Sequence, residues 1–406
     1  MRLERHLTPP LAGFVAGVML APERTSLLRA CLFDGAAWKE AWRIWFAEVG
    51  DPKAFFGGDG AAAKGLLPLL FDAAQRLAIP FDASFQTYLR TAYLRERVRT
   101  ATYTRICGDI LAALADASIE VIPLRGNALA ESVYAAPWLR HSHGLDLLLR
   151  RSELVPRATG VLAARGLVVA PEAPQPEGDR VRFAHPSGLT VCLQADLFDH
   201  ADHAVPVDEL WATSEIRRIA GAPARGLAPA DALFEVCGRA WLSPTRANLN
   251  WLCDAWLLIR RYPDLDWTRL AELGPRARLA LPLIVAIGYL AGSLAAPVPC
   301  AVLDRLAAAA RTDPSTAGHY LIEARRSFPR GPVALLRRIR GWRNRLLVAA
   351  DLVWPSPEYL RLAYGATGRG RLLWLNLRRP WVYAIGALVS AVRQWARGAR
   401  GPTGGA

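Results

Sequence analysis

The residues best suited to chemistry lie beside two apolar runs near the middle of the chain. The first run, Ile119–Leu124, is followed by Arg125, Gly126 and Asn127. Gly126 can adopt backbone angles that a side chain would forbid, and Asn127 is a good N-cap for a helix over the next residues. A helix N-terminus exposes unpaired N–H groups and favours negative charge. This turn therefore predicts an anion-binding site.

Asp146 is the candidate carboxylate of the site. It lies in the second apolar run, Leu145–Leu149, which predicts a buried strand carrying one charged group. A lone aspartate at the start of an apolar strand does not by itself specify a reaction.

Around these residues the chain resembles the uncharacterised bacterial nucleotidyltransferase family of the DNA polymerase beta-like superfamily. That family combines a hydrophobic-L-K-G turn with a later R-x-x-x-D-h-D-L-L-V strand, where h is hydrophobic and the two aspartates hold magnesium. Here Leu124–Gly126 matches the turn and Arg140–Leu149 matches the strand. The first metal aspartate of the pattern is Gly144 in this chain, and Asp146 is the second.

Weaker matches extend the resemblance over most of the chain. They are Val191–Phe198, in which Cys192 stands for a third acidic residue, then Trp251–Trp256 and Trp354–Arg361. Asp254 lies inside the apolar Trp251–Trp256 segment, where burial would require a partner. A structural hydrogen bond or salt bridge is the first interpretation, and contact with substrate is the second.

The resemblance implies transfer of an NMP group from an NTP to an unknown acceptor, with Mg²⁺ as cofactor. It assigns the catalytic role to Asp146. It assigns nucleotide or phosphate binding to Arg125, Gly126, Asn127 and Arg140.

The metal site implied by the resemblance is degenerate, because Gly144 and Cys192 replace two of three carboxylates. We therefore expect Mg²⁺ binding to be weak or absent, with a single-metal site on Asp146 and His143 as an alternative. Three functions stay open. They are an active transferase acting on a small molecule, sugar or peptide; a nucleotide-binding or scaffolding pseudoenzyme in an envelope-polysaccharide or peptide natural-product pathway; and a membrane-associated partner.

The composition is that of a folded protein in a reducing compartment. The chain has 406 residues, of which 52% are hydrophobic and 21% charged. Its six cysteines form no C-x-x-C pair and no regular spacing, so neither a zinc site nor a disulfide framework is indicated. A cytoplasmic location is predicted.

The basic charge is concentrated at the C-terminus. From Arg325 onward there are 16 arginines against Asp351 and Glu358, which equals the whole net charge of +14. Tryptophans are interleaved with these arginines, and the apolar run Trp381–Val392 suits a helix lying in a membrane interface. The tail predicts peripheral contact with an anionic membrane at its inner face, with solvated faces of core helices as the alternative. A nucleic acid is not expected as a partner.

The predicted fold class is α+β, with a polymerase beta-like small mixed sheet of four to six strands embedded between N- and C-terminal helical regions. The predicted parts are an N-terminal helical region (1–117), a nucleotidyltransferase-like domain (118–225), a C-terminal helical domain (226–345) and the basic tail (346–406). The uncharged run Leu279–Leu303 is long enough to span a bilayer. Its prolines near both ends favour a buried core helix instead.

Overall fold

The computed structural model describes residues 22–58, 60–77, 81–170, 180–198, 205–242, 248–313 and 370–378, together with single positions at 20, 79 and 203 and scattered positions between 342 and 368. Residues Leu20–Leu306 form one compact unit, which holds the candidate site. In the second unit, residues 370–378 are helical.

The N-terminal helices surround a stripe of tryptophans. Trp38, Trp42 and Trp45 recur at intervals of four and three residues on one helix, so they share a face, and all three are buried. Neighbouring ring centroids in this stripe lie 5.2 and 5.4 Å apart. The helices are α1 (Pro22–Leu32), α2 (Gly35–Val49), α3 (Pro52–Gly57), α4 (Leu67–Arg76) and α5 (Ala83–Asp116).

A five-stranded mixed sheet follows, with strand order β1-β2-β5-β4-β3. Strands β2 and β5 are parallel, and the other neighbours are antiparallel. The strands are β1 (Val121–Leu124), β2 (Gly144–Leu149), β3 (Val168–Val169), β4 (Val181–Ala184) and β5 (Thr190–Gln194). Helix α6 (Gly126–Ser132) follows β1, and α7 (Val155–Ala164) follows β2.

The alternation of strand β2 decides which residues reach the site. Leu145, Leu147 and Leu149 belong to the hydrophobic core that also contains residues of α5. Since successive side chains of a strand point to opposite faces, Gly144 and Asp146 lie on the face away from that core.

A two-stranded hairpin was not predicted from the sequence. It consists of β6 (Glu215–Ile219) and β7 (Ala222–Gly226), and it reverses at Ala220 and Gly221, both with positive φ. These strands contain three arginines and a proline and lack the apolar alternation that identifies a strand. The carboxylate of Glu131 on α6 accepts the Ala220 N–H at 2.9 Å and thereby ties the hairpin tip to the sheet domain.

The first N-terminal helix contacts one of the C-terminal helices. The hydroxyls of Thr25 and Tyr289 lie 2.9 Å apart, and Arg29 donates to the Ser293 carbonyl. Among the C-terminal helices, the Trp256 indole N–H donates to the Leu294 carbonyl. The helices are α8 (Val207–Thr213), α9 (Pro229–Leu242), α10 (Asn250–Arg261), α11 (Trp267–Arg276), α12 (Ala280–Ser293) and α13 (Cys300–Thr312).

The uncharged run Leu279–Leu303 contains the short helix α12, whose residues 280–290 are buried. Within the described part of the chain, no helix is both long enough and apolar enough to cross a membrane. The expected core helix is thus confirmed, while the cytoplasmic location stays a prediction.

The α+β class and the small mixed sheet are confirmed. Strand β5 ends at Gln194, whose side chain turns back to donate to the carbonyls of Asp196 and Leu197. The division into four parts stays a prediction. The tail segment Trp381–Val392 lies outside the residues that the structure describes.

Candidate active site

The turn between β1 and α6 has an unusual backbone. Arg125 has φ +47° and Gly126 has φ +30°, both in the region that disfavours side chains. A Cβ on Gly126 would lie 2.9 Å from the Ser142 hydroxyl oxygen and 3.3 Å from the Gly144 carbonyl oxygen. The glycine is therefore needed both for its backbone angles and for space. The predicted helix start at Gly126 is confirmed.

The expected capping role of Asn127 is wrong. Arg125 occupies the N-cap position, and no side chain caps this seven-residue helix. Because the chain has already turned at Arg125, Asn127 lies within the first helical turn, and its amide donates to the Cys107 sulfur at 2.9 Å. Asn127 thus connects α6 to α5.

The three positions that hold metal in the family pattern are adjacent in space. Strand register pairs Asp146 with Cys192 and Gly144 with Thr190, on neighbouring parallel strands. A Cβ on Gly144 would lie 2.8 Å from the Thr190 hydroxyl oxygen. The backbone arrangement needed for three carboxylates is present, but only Asp146 supplies one.

Two arginines hold Asp146 where a metal ion would be expected. Arg125 donates from Nη2 to Asp146 Oδ2 at 2.6 Å and from Nη1 to Glu235 Oε1 at 2.9 Å. Arg180 places Nη2 3.6 Å from Asp146 Oδ1 and donates from Nε to the Cys192 sulfur at 2.7 Å. One guanidinium thus joins the two carboxylates, and another bridges the aspartate and the cysteine.

Arg239 adds a third guanidinium on helix α9. Its Nε lies 3.5 Å from Glu235 Oε1, it also donates to the Leu197 carbonyl, and its guanidinium carbon lies 5.6 Å from the Phe198 ring centroid. We call Arg125, Arg180, Arg239, Asp146 and Glu235 the arginine cluster. It combines three guanidiniums with two carboxylates.

The pKa values of the two carboxylates in the cluster are shifted in opposite directions. Burial raises the pKa of Asp146, but Arg125, Arg239 and Arg180 outweigh burial and bring that pKa below its ordinary value. For Glu235, burial outweighs Arg125 and Arg239, and the nearby Asp146 adds to the rise in its pKa. Pairs of carboxyl groups whose pKa values are pushed apart are typical of sites that need one charged and one proton-accepting group.

The residues present do not fit a protein-held magnesium ion. Mg²⁺ requires oxygen ligands in near-octahedral geometry. Asp146 is already paired with two arginines, and Cys192 offers a soft sulfur that accepts from Arg180. Among the described residues, no group of three or more His, Cys, Asp or Glu side chains could hold a metal ion.

Comparison with models of known protein families identifies the family of this chain. The model of a family described as an uncharacterised nucleotidyltransferase matches residues 59–294, which include the whole arginine cluster. The chain belongs to this nucleotidyltransferase family. No curated protein matches the chain at a significant level. Membership of the family implies nucleotide binding, and the sheet topology is consistent with a nucleotidyltransferase-like fold.

Arg140, the arginine that opens the strand motif, is held away from solvent by Asp254 on α10. It donates from Nε and Nη2 to the two carboxylate oxygens at 3.1 and 2.7 Å, and the Tyr134 hydroxyl donates to Asp254 Oδ1 at 2.7 Å. The expected structural partner of Asp254 is therefore found. Assignment of Arg140 to phosphate binding stays a prediction.

His143, the alternative metal ligand, lies against another histidine. Its ring packs edge-on against His141 with centroids 4.3 Å apart, and burial, followed by the charges of His141 and Arg99, lowers its pKa. His141 Nδ1 lies 2.7 Å from the buried carboxylate of Glu96. The metal-binding role of His143 stays a prediction.

Sequence reasoning missed Arg180, Glu235 and Arg239. One local signal was available: Glu235 and Arg239 lie four residues apart on the largely buried helix α9, where a carboxylate needs a partner. No local signal identifies Arg180, which precedes a short strand and reaches Cys192 only through sheet pairing.

Proposed function

We propose that this protein binds a nucleoside triphosphate at the arginine cluster and transfers the NMP group to the hydroxyl of a small acceptor. The acceptor oxygen forms a bond to the α-phosphorus, the bond from that phosphorus to the bridging oxygen breaks, and pyrophosphate leaves. The hydroxyl proton is released. The observation that carries the proposal is the convergence of Arg125 and Arg180 on Asp146 of a nucleotidyltransferase-family sheet, with Arg239 joined to them through Glu235.

Guanidinium groups suit this ligand because they bind phosphate oxygens in a bidentate manner and stay charged at all relevant pH values. The side chains of Arg125, Arg180 and Arg239 keep 17%, 19% and 12% of their area exposed, so they are partly buried yet accessible. Charge interactions are stronger in such a setting than in bulk water.

Positive charge is the main catalytic requirement of phosphoryl-group chemistry. The transition state spreads negative charge over the phosphate oxygens and the leaving group, and preorganised cations stabilise it. Arg125 is fixed by two carboxylates and Arg180 by Asp146 and Cys192. These residues can therefore act as preorganised donors without having to be ordered on binding.

A nucleotide-binding pseudoenzyme is the second candidate. It is favoured by one observation: Asp146 is held by two guanidiniums and Cys192 contacts one of them, so the pair of free carboxylates that normally positions metal is missing. The two candidates share nucleotide binding and differ only in turnover.

A melting-temperature panel of the four common NTPs, with and without Mg²⁺, tests nucleotide binding. Pyrophosphate release with labelled NTP then separates transfer from binding alone. We expect at least one NTP to stabilise the protein, and Arg125→Gln to remove the effect. The matched control is Arg43→Gln, which changes an exposed arginine paired with Glu40. If no NTP raises the melting temperature, both candidates are excluded.

We further propose that the basic tail contacts an anionic membrane. Support comes from residues 370–378, a helix on which Leu373, Trp374 and Leu377 are more than half exposed and Arg378 lies 5.0 Å from the Trp374 ring centroid. Truncation before Leu372 should abolish sedimentation with anionic vesicles at low salt and leave the melting temperature unchanged. A large fall in melting temperature would instead assign the segment to the core.

A further inference from the structure

A pocket adjoins the arginine cluster and shares two residues with it. The pocket has a volume of about 210 Å³ and lies between α6, the β6–β7 hairpin and the start of α9. Arg125 and Glu235 line one end of it. Since Arg125 also contacts Asp146, the pocket opens directly beside the atoms assigned to the nucleotide.

The pocket lining carries both signs of charge. Its charged residues are Arg125, Arg217 and Arg218 together with Glu131 and Glu235, and Ser132 adds a hydroxyl. Apolar residues, among them Leu129 and Leu227, complete the lining. A ligand that matches this lining carries an anionic group for an arginine and a hydroxyl for a carboxylate.

The position of Arg217 depends on a glycine across the hairpin. A Cβ on Gly226 would lie 2.9 Å from Arg217 Cδ and 3.3 Å from its Nε, so the arginine stem crosses the strand over the missing side chain. Arg217 also pairs with Glu215 at 3.1 Å, which fixes its direction. Glu131 holds the hairpin tip through the Ala220 N–H. The space over Gly226 and these two contacts therefore hold the pocket wall in a defined position.

Size favours a small ligand. The pocket volume of about 210 Å³ lies below the range of about 300–1,000 Å³ typical of drug-sized ligands. A hydroxylated organic acid or phosphate monoester of a few carbons suits this volume.

We propose that this pocket is the acceptor site and that it takes a small organic anion bearing a hydroxyl, with Arg217 binding the anionic group. The proposal rests on the proposed nucleotidyl transfer. The hydroxyl end lies toward Arg125 and Glu235, which places the nucleophile beside the arginine cluster. Glu235, whose pKa burial raises, is the nearest group of this chain suited to receive the hydroxyl proton.

Calorimetric titration of the full chain with glycerol 3-phosphate, and with glycerol as the neutral match, tests the pocket. Glycerol 3-phosphate should bind and glycerol should not. Arg217→Gln with Arg218→Gln should weaken binding of glycerol 3-phosphate at least tenfold, and the corresponding lysine pair should retain it within about threefold. Gly226→Ala should also weaken binding, because it displaces Arg217 without removing charge. The control pair is Arg43→Gln with Arg305→Gln, both on the exposed surface.

Titration with ATP separates this inference from the proposed function. The glutamine pair should leave ATP affinity unchanged, and saturating ATP should not displace glycerol 3-phosphate. Absence of glycerol 3-phosphate binding, indifference to the glutamine pair, or competition with ATP would each overturn the acceptor site. If ATP fails to bind while the arginine-dependent binding of glycerol 3-phosphate persists, the pocket stands as an anion site and nucleotidyl transfer is excluded.

Discussion

Arg125 and Arg140 lie close together in sequence, and each pairs with an aspartate, but the surroundings of the two pairs differ. Arg140 and Asp254 form a bidentate pair whose aspartate side chain is 1% exposed and also accepts from Tyr134. Arg125 and Asp146 form a pair whose aspartate is 24% exposed and shares its partners with Arg180 and Glu235. The first pair is balanced in charge, and its aspartate is closed to solvent. The second belongs to a cluster of three guanidiniums and two carboxylates whose aspartate keeps access to solvent.

This difference indicates which arginine stabilises the fold and which arginines bind a ligand. A buried, balanced and fully hydrogen-bonded pair has no capacity left for a ligand, and breaking it leaves an uncompensated charge. A partly exposed cluster of guanidiniums can bind an anion on its solvent side without losing its internal contacts. We therefore expect Arg140 to stabilise the fold, and Arg125 and Arg180 to bind nucleotide.

The largest expected effect is on stability at the closed pair. Asp254→Asn removes the charge that balances Arg140 and should lower the free energy of unfolding by about 3–5 kcal/mol. Urea denaturation measures this. Tyr134→Phe serves as the matched control, because it removes one hydrogen bond to the same carboxylate and should cost about 1–3 kcal/mol. A loss below 1 kcal/mol for Asp254→Asn would remove the contrast between the two pairs.

Exchanging arginines for glutamine tests the division of roles. Arg180→Gln should weaken NTP binding about tenfold or more, corresponding to about 1.4 kcal/mol, with little change in unfolding free energy. Arg140→Gln should do the reverse. Calorimetric titration with ATP and urea denaturation of both variants provide the comparison. Equal loss of ATP affinity in the two variants would restore the phosphate-binding role that the sequence motif assigns to Arg140.

Rebuilding the carboxylates should convert the cluster into a metal site. Gly144→Asp with Cys192→Asp places three carboxylates on adjacent strands, and Thr190→Ala clears the oxygen 2.8 Å from the new Cβ. Mg²⁺ affinity should rise roughly tenfold or more, because Mg²⁺ is held through carboxylate oxygens. Thr190→Ala alone should give no gain. An unchanged Mg²⁺ titration of the triple variant would show that the arginines, rather than the missing carboxylates, decide the chemistry.

The smallest expected effect is a difference in pH dependence between the two carboxylates of the cluster. The pKa of Asp146 lies below its ordinary 3.8 in the folded state, so its charge stabilises the fold above that pH, and the stabilisation is lost as pH falls through the lowered pKa. The pKa of Glu235 is raised above 4.5, so its contribution is present below that pH and lost as pH rises through the raised pKa.

Unfolding free energies between pH 3 and pH 7 check these signs. Relative to the unmodified chain, Asp146→Asn should lose stability as pH rises toward about 4 and should show a constant deficit above that pH, whereas Glu235→Gln should gain stability as pH rises above about 4.5. Parallel curves for the two variants would contradict the opposite shifts.

The sequence determined the first two strands of the sheet. Apolar runs of six and five residues predicted β1 and β2, and the two-residue alternation of β2 places the Asp146 side chain on the face away from Leu145 and Leu147. The glycine of the Arg125-Gly126 turn predicted the helix start. These features depend on local periodicity and backbone freedom, which a sequence states directly.

The sequence shows Gly144 and Cys192 where the family pattern has carboxylates. It does not show which charged side chains from elsewhere in the chain reach the site. Arg180, Glu235 and Arg239 reach the site from a strand edge and a helix that are distant in sequence. The hairpin that lines the pocket beside the cluster was also not predicted, because its arginine-rich strands carry no apolar alternation. Which charged side chains form ion pairs depends on their proximity in the packed chain. Only the tertiary structure could therefore decide that Arg140 is satisfied by Asp254, while three other arginines converge on Asp146 and Glu235.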